Sequence, residues 1–152
     1  MPQDFKMPAI QPGLGTDLAR AIEDMPASRL IGLRVLGFAP GGLSVLETPI
    51  TPAITFDGRL VQAGIIGMLA DYAGVSAAHS TLPSGWAAST TSFQVHNVAP
   101  AAGERLVALG TAEQVGRSHA VSSVRVWALQ GDSATLVALA TATCRPFELR
   151  RA

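Results

Sequence analysis

The sequence predicts an α+β fold in which one antiparallel sheet wraps around a single long helix. Three observations carry this. Residues 62–80, QAGIIGMLADYAGVSAAHS, are almost wholly small and apolar and long enough for about five helical turns. Ahead of it, residues 30–50 alternate with the two-residue period of a strand pair. Behind it come four β-rich runs joined by short turn signals, and connections that short leave neighbouring strands antiparallel.

The chain has 152 residues, enough for one domain with one core that buries roughly 70% of the surface its unfolded form exposes. With 48% hydrophobic and 14% charged residues it is more apolar than a typical soluble domain, which is about 25% charged, and part of the excess is expected at a subunit interface. Eleven basic residues balance eleven acidic ones, and the longest basic tract is Arg150-Arg151, so no nucleic-acid footprint is expected. The single Cys144 excludes an intramolecular disulfide and a cysteine-based zinc site, and one thiol suits a reducing compartment, so a cytoplasmic location is expected. MPQDFKMPAIQPG shows neither a signal-peptide pattern nor a run approaching ~20 apolar residues, so no membrane segment is expected.

In chain order, residues 1–13 hold three prolines and no apolar period, and read as an arm that is ordered only where it docks. Thr16 is placed to cap a short helix whose apolar residues are Leu14, Leu18, Ala21, Ile22 and Met25, and Pro26 is expected to stop it. Residues 1–29 are thus an arm and covering helix, and 30–149 the main body of a single domain. From Leu30 to Gly37 and from Leu43 to Ile50, two strands are expected around the Ala39-Pro40-Gly41-Gly42 turn. Asp57-Gly58 marks a turn before the long helix, and Leu82-Pro83-Ser84-Gly85 ends that helix. Strands are expected over Trp86–Ala99, Leu106–Val115, Ser118–Leu129 and Ala134–Phe147, the last two joined at Gln130-Gly131-Asp132.

Asp71 is the one acid in the long helix. A buried, unpartnered carboxylate costs several kcal/mol or shifts its pKa upward, so its placement needs a reason.

The arrangement, with this helix, resembles the hotdog fold, and within it the acyl-CoA thioesterases of the PaaI-like and 4-hydroxybenzoyl-CoA group, over roughly Leu30 to Phe147. Members of that family open the central helix with His-Gly-Gly and place an acid nine residues after the histidine, commonly within Leu-Ala-Asp. Here Gln62-Ala63-Gly64 stands at the triplet and Leu69-Ala70-Asp71 falls at the same spacing. Phe93-Gln94-Val95-His96-Asn97-Val98-Ala99-Pro100 is similar to the family's strand ending in proline, and Val115-Gly116-Arg117-Ser118 to its Gly-Arg turn.

The resemblance implies hydrolysis of an acyl-CoA thioester without a bound cofactor or metal. Asp71 is the implied general base or nucleophile, and the amide of Ala63 or Gly64 holds the developing oxyanion. Gln62 replaces the histidine, so no imidazole is available there, but a helix N-terminus still offers free N–H groups beside a small residue. Gly64 and Asp71 share a helix face yet lie roughly 10 Å apart along the axis. The resemblance resolves this by placing the site between two subunits, which implies a homodimer, with a homotetramer built as a dimer of dimers also consistent. Thr90, or else Thr91 or Ser92, is implied as a hydroxyl partner of the carboxylate or the water. Arg117 is implied at a CoA phosphate, and Met68, Val75 and Thr91 along the acyl group.

Simpler roles stand beside these. Asp71 can be a structural acid bonded to hydroxyls, Gln62 a helix cap, Asp57 a turn residue, and Gly67 and Gly74 packing glycines. His79, His96 and His119 are scattered singly and read as surface or sheet residues rather than ligands. No Gly-x-Ser-x-Gly elbow supports a serine hydrolase, and Gln62 argues against a hydratase that needs histidine. A non-catalytic hotdog module binding an acyl-CoA or acyl-carrier thioester is the alternative of another class.

Overall fold

A computed structural model describes residues 4–149; the first three and last three residues, including the Arg150-Arg151 pair, lie outside the described residues. Helices α1 (Thr16–Glu23) and α2 (Pro26–Ile31) lead into strands β1 (Arg34–Ala39) and β2 (Leu43–Pro49). A short 3-10 turn, Pro52–Ile54, precedes the long helix α3 (Ala63–His79), and β3 (Trp86–Asn97), β4 (Arg105–Val115), β5 (Ala120–Gln130) and β6 (Ser133–Glu148) follow. The six strands form one antiparallel sheet in the order β1-β2-β4-β5-β6-β3.

Three sequence expectations change at the N-terminal end. Pro26 stops α1 but also begins α2, because the first turn of a helix needs no N–H from that position. Residues 30 and 31 are therefore helical rather than extended, and the boundary drawn between 29 and 30 falls inside α2. Gly32 closes that helix at a φ of 66°, and Thr48 Oγ1 donates to the Ile31 carbonyl, tying the turn to β2. Thr16 is the first helical residue rather than the cap: Gly15, at a φ of 67°, holds the cap position, and the Thr16 hydroxyl donates to the Gly13 carbonyl at 3.1 Å.

The N-terminal arm does dock. Phe5 lies against Trp127 with ring centroids 5.4 Å apart, and the Gln11 N–H donates to the Phe38 carbonyl at 2.7 Å. They cover the outer face of the sheet, where Val45, Val107, Trp127 and Leu129 form a second apolar cluster.

The main core lies between α3 and the inner face of the sheet. Leu69, Ala70 and Ala73 pack there with Leu46, Leu106, Val126 and Val137, all at most 1% exposed. Small residues let the helix come close: a Cβ on Gly74 would sit 2.6 Å from the Ala142 Cβ, and one on Gly110 would strike the Ala73 carbonyl. Ser44 donates to that same carbonyl at 2.7 Å across the helix–sheet seam. This anchoring fixes which face of α3 turns away from the sheet.

Candidate active site

The face of α3 turned away from β4 and β5 carries Asp71, Val75 and His79, spaced four residues apart so that they line up along the helix. Asp71 is half-buried, and Thr90 on β3 donates its hydroxyl to Asp71 Oδ1 at 2.9 Å. Burial pushes the Asp71 carboxyl above its ordinary value, and the Thr90 hydrogen bond partly offsets this by favouring the charged form. A poised carboxylate with one donor and space before it results.

A β-bulge selects Thr90. Phe93 and Val95 face Gly67 of α3, so strict alternation along β3 would turn residue 91 to the helix. The β3–β6 register slips between Thr90 and Ser92, which reverses the alternation and turns Thr90 inward instead. Thr91 donates to the Thr143 carbonyl of β6 at 3.0 Å.

Asp71 borders a cavity of about 380 Å³. Leu18, Ala21 and Ile22 of α1 and Met25 beyond it form one wall, the outward face of α3 another, and residues 87–90 of β3 the third. Val75 lines this cavity; Met68 packs against the main core and lines neither this cavity nor the next. A larger cavity, about 520 Å³, lies against the outer face of the sheet beside Pro8, far from the helix face that carries Asp71, and holds none of the sequence-proposed residues.

The N-terminus of α3 opens elsewhere. Gln62 takes the cap position and its Oε1 accepts from the Gly64 N–H at 2.7 Å, so its simpler role as a cap is present in the structure. The Ala63 N–H has no partner among the described residues, and Ala63 borders a separate cavity of about 440 Å³ lined by Phe56, Leu60, Val98 and Pro100 among others. One chain therefore places its carboxylate and its free helix-terminal amide in two different cavities. Arg117 sits exposed on the β4–β5 turn, apart from both.

Asp57 is a turn residue: its Oδ1 accepts from the Arg59 and Leu60 N–H groups, which hold its carboxyl below the usual value. His96 and His119 are exposed, whereas His79 is half-buried on α3 and Trp86 lies within hydrogen-bonding distance through its carbonyl. No group of three or more potential metal ligands occurs among the described residues, and none of their helices is long and apolar enough to cross a membrane.

Nothing in the linear chain signals that α1 walls the cavity, that His79 lines it, or that Cys144 lies beside Thr90. Cys144 of β6 pairs with Thr90 of β3, close enough to Asp71 that burial first and the carboxylate second push its thiol pKa up.

No protein-family model matches the chain, and no curated protein matches it in sequence. Solved structures do. A thioesterase family protein from Silicibacter pomeroyi is 26% identical, with a TM-score of 0.83 over 90% of this chain and 99% of that one. The Escherichia coli PaaI protein from the phenylacetic acid degradation operon is 19% identical, with a TM-score of 0.72 over 86% of this chain and 92% of its own. A Bacillus halodurans protein crystallised with CoA is 26% identical, with a TM-score of 0.63 over 68% of this chain and 66% of its own. The chain has the hotdog fold, and its structural neighbours include thioesterase-family proteins and the PaaI protein.

Proposed function

We propose that this hotdog-fold chain is an acyl-CoA thioesterase whose site forms between two copies, with Asp71 of one copy facing the helix N-terminus of the other. The observation that carries the reading is the Thr90–Asp71 pair: a half-buried carboxylate, ionisable yet raised in pKa, held by one hydroxyl at the edge of an apolar cavity. Likeness to thioesterases, and to a neighbour crystallised with CoA, supports the substrate class.

In one route Asp71 takes the proton of a water that attacks the thioester carbonyl. In the other it attacks directly and the resulting anhydride is hydrolysed. In both the C–S bond breaks, and the CoA thiolate leaves and is protonated. The oxyanion accepts from the partner copy's helix terminus, where the Ala63 N–H is unengaged and Gly64 leaves room for approach. Arg117 is the cation assigned to a CoA phosphate, and Val75 part of the acyl wall. The unpaired edge of the twelve-residue strand β3, exposed through residues 89–94, supports pairing with a second copy.

A second reading has its own observation. Gln62 Oε1 already occupies the Gly64 N–H, which favours a module that binds thioesters without cleaving them. Thiol release across short, long and aromatic acyl-CoAs tests the two. Hydrolysis of at least one class, lost in Asp71→Asn, supports the enzyme. Binding without release, with release appearing only when Gln62→Ala frees the amide, supports the module.

A further inference from the structure

The cavity at the N-terminus of α3 is apolar except at one point. Asn97, the last residue of β3, borders it with Ala63, and among the described residues that line it Asn97 alone has a polar side chain. Strand alternation sets the direction of that side chain. The β3–β6 register runs without a slip from Ser92 to Asn97, so Asn97 shares the face of Phe93 and Val95, both of which face Gly67 of α3. Its partner across the ladder, Ala138, lies in the main core, as does Ala140 opposite Val95. The strand end is fixed in place. The Val98 N–H donates to the Val137 carbonyl at 2.8 Å, and the Val61 N–H donates to the Ala101 carbonyl at 2.9 Å, which ties the segment after Asn97 to the one entering α3.

This end of the helix is short of donors. Gln62 Oε1 takes up the Gly64 N–H, which leaves the Ala63 N–H as the free amide at the cavity. An oxyanion is held best by preorganised donors converging on it, and side-chain amides serve in that role beside backbone N–H groups. No side-chain hydrogen bond engages Asn97 among the described residues, so its amide is available to donate. Phe56, 66% exposed, and Val98, 52% exposed, stand at the same cavity as uncovered apolar side chains, which suits a site closed by a second copy.

We propose that Asn97 is a catalytic residue: its Nδ2, with the Ala63 N–H of the same chain, donates to the oxyanion formed when the thioester is attacked at Asp71 of the partner subunit. The attacking water or carboxylate oxygen adds to the carbonyl carbon, and the π electron pair moves to the oxygen held by the two donors. Its return breaks the C–S bond, and the CoA thiolate leaves and is protonated. Asn97 keeps its own protons throughout. The inference rests on the thioesterase reading and on its two-copy site.

The test uses the full chain and an acyl-CoA that the wild type hydrolyses, drawn from short, long and aromatic acyl groups. Asn97→Leu, close in size but without a donor, lowers kcat about a hundredfold or more and leaves KM within a few-fold, because the lost bond is made to the oxyanion rather than to bound substrate. Asn97→Asp, again without a donor, falls at least as far, and it carries the comparison if the leucine protein fails to fold. Co-expression of Asn97→Leu with Asp71→Asn reads the chain assignment. A mixed dimer has one site with both changes and one with neither, so random pairing restores about a quarter of wild-type turnover from two nearly inactive variants. Wild-type kcat in the Asn97 variants, a loss confined to KM, or no recovery in the mixed protein overturns this inference, while hydrolysis that Asp71→Asn abolishes leaves the thioesterase reading standing. No hydrolysis of any class by the wild type overturns both.

Discussion

Helix α3 shows two faces of opposite character. Toward the sheet, Ala70, Ala73, Gly74 and Ala77 are sealed, and at Gly74 not even a methyl group fits. Toward α1 and β3, Asp71, Val75 and His79 border open volume, and the helix carries its only acid there. The contrast separates a face given to packing from a face open to the proposed chemistry. The close-packed face fixes the position of the axis, and that fixed axis holds a carboxylate at 2.9 Å from Thr90 without further ligands. Substitutions on one face should register as stability and on the other as activity.

The largest separation is expected at Asp71. Asp71→Asn keeps size and most hydrogen bonding but removes the charge, so turnover falls at least about a hundredfold, the low end for general-base catalysis. Melting temperature at neutral pH holds or rises. The sign follows from the raised folded pKa: the proton binds more tightly in the folded state, so the wild type loses stability as pH climbs from the ordinary aspartate value through the raised one. The asparagine protein lacks that loss, and its advantage should vanish in acid. Lower melting temperature with near-normal turnover would assign Asp71 to the structural role.

The opposite face is probed by Gly74→Ala. Its new methyl must displace Ala142 and the Val124 side chain, an overpacking cost of about 1–3 kcal/mol, read as a melting temperature lower by several degrees. Activity per folded molecule should persist. Wild-type stability in this variant would break the contrast between the faces.

Gly64→Val tests the helix terminus, where the nearest atom to an added Cβ is Gln62 Oε1 at 3.5 Å, an ordinary contact. The fold accommodates the side chain while approach to the amide is obstructed, so turnover drops tenfold or more with little change in melting temperature. Equal loss of both would make Gly64 a packing residue.

The smallest effect is expected from Thr90→Val. It removes the hydrogen bond that favours the charged carboxylate, so the Asp71 pKa climbs further. Because the proposed role needs the carboxylate ionised, the acid limb of the rate–pH profile moves to higher pH while the plateau above it changes by a few-fold at most. An unmoved limb would detach Thr90 from the carboxylate.

Much of this was legible in the linear chain because it is governed by local rules. The bounds of α3 follow from an apolar run closed by Gln62 at one end and Leu82-Pro83 at the other, and the observed helix differs by one residue at each end from 62–80. Gly131 at a φ of 54° makes the β5–β6 turn where the turn signal stood. Asp71 is also visible in the linear chain as the one acid of that helix, at the nine-residue spacing from Gln62 that the family resemblance implies. Pro26 misled because one local feature serves two purposes, ending α1 and starting α2, and residue order alone does not weigh them.

What tertiary structure decided depends on register and on contacts between segments far apart in sequence. The slip between Thr90 and Ser92 turns Thr90 to the carboxylate and Thr91 to β6, a choice made by pairing with β6 some fifty residues on. The α1 wall, the raised thiol pKa of Cys144 and the His79–Trp86 contact arise in the same way, from elements brought together only when the sheet closes on the helix. The sequence by itself determined the helix, its acid and the strands around it, because each is set within a few residues. The cavity beside Asp71 was decided by packing, because its walls come from three elements whose distance and rotation no local period encodes.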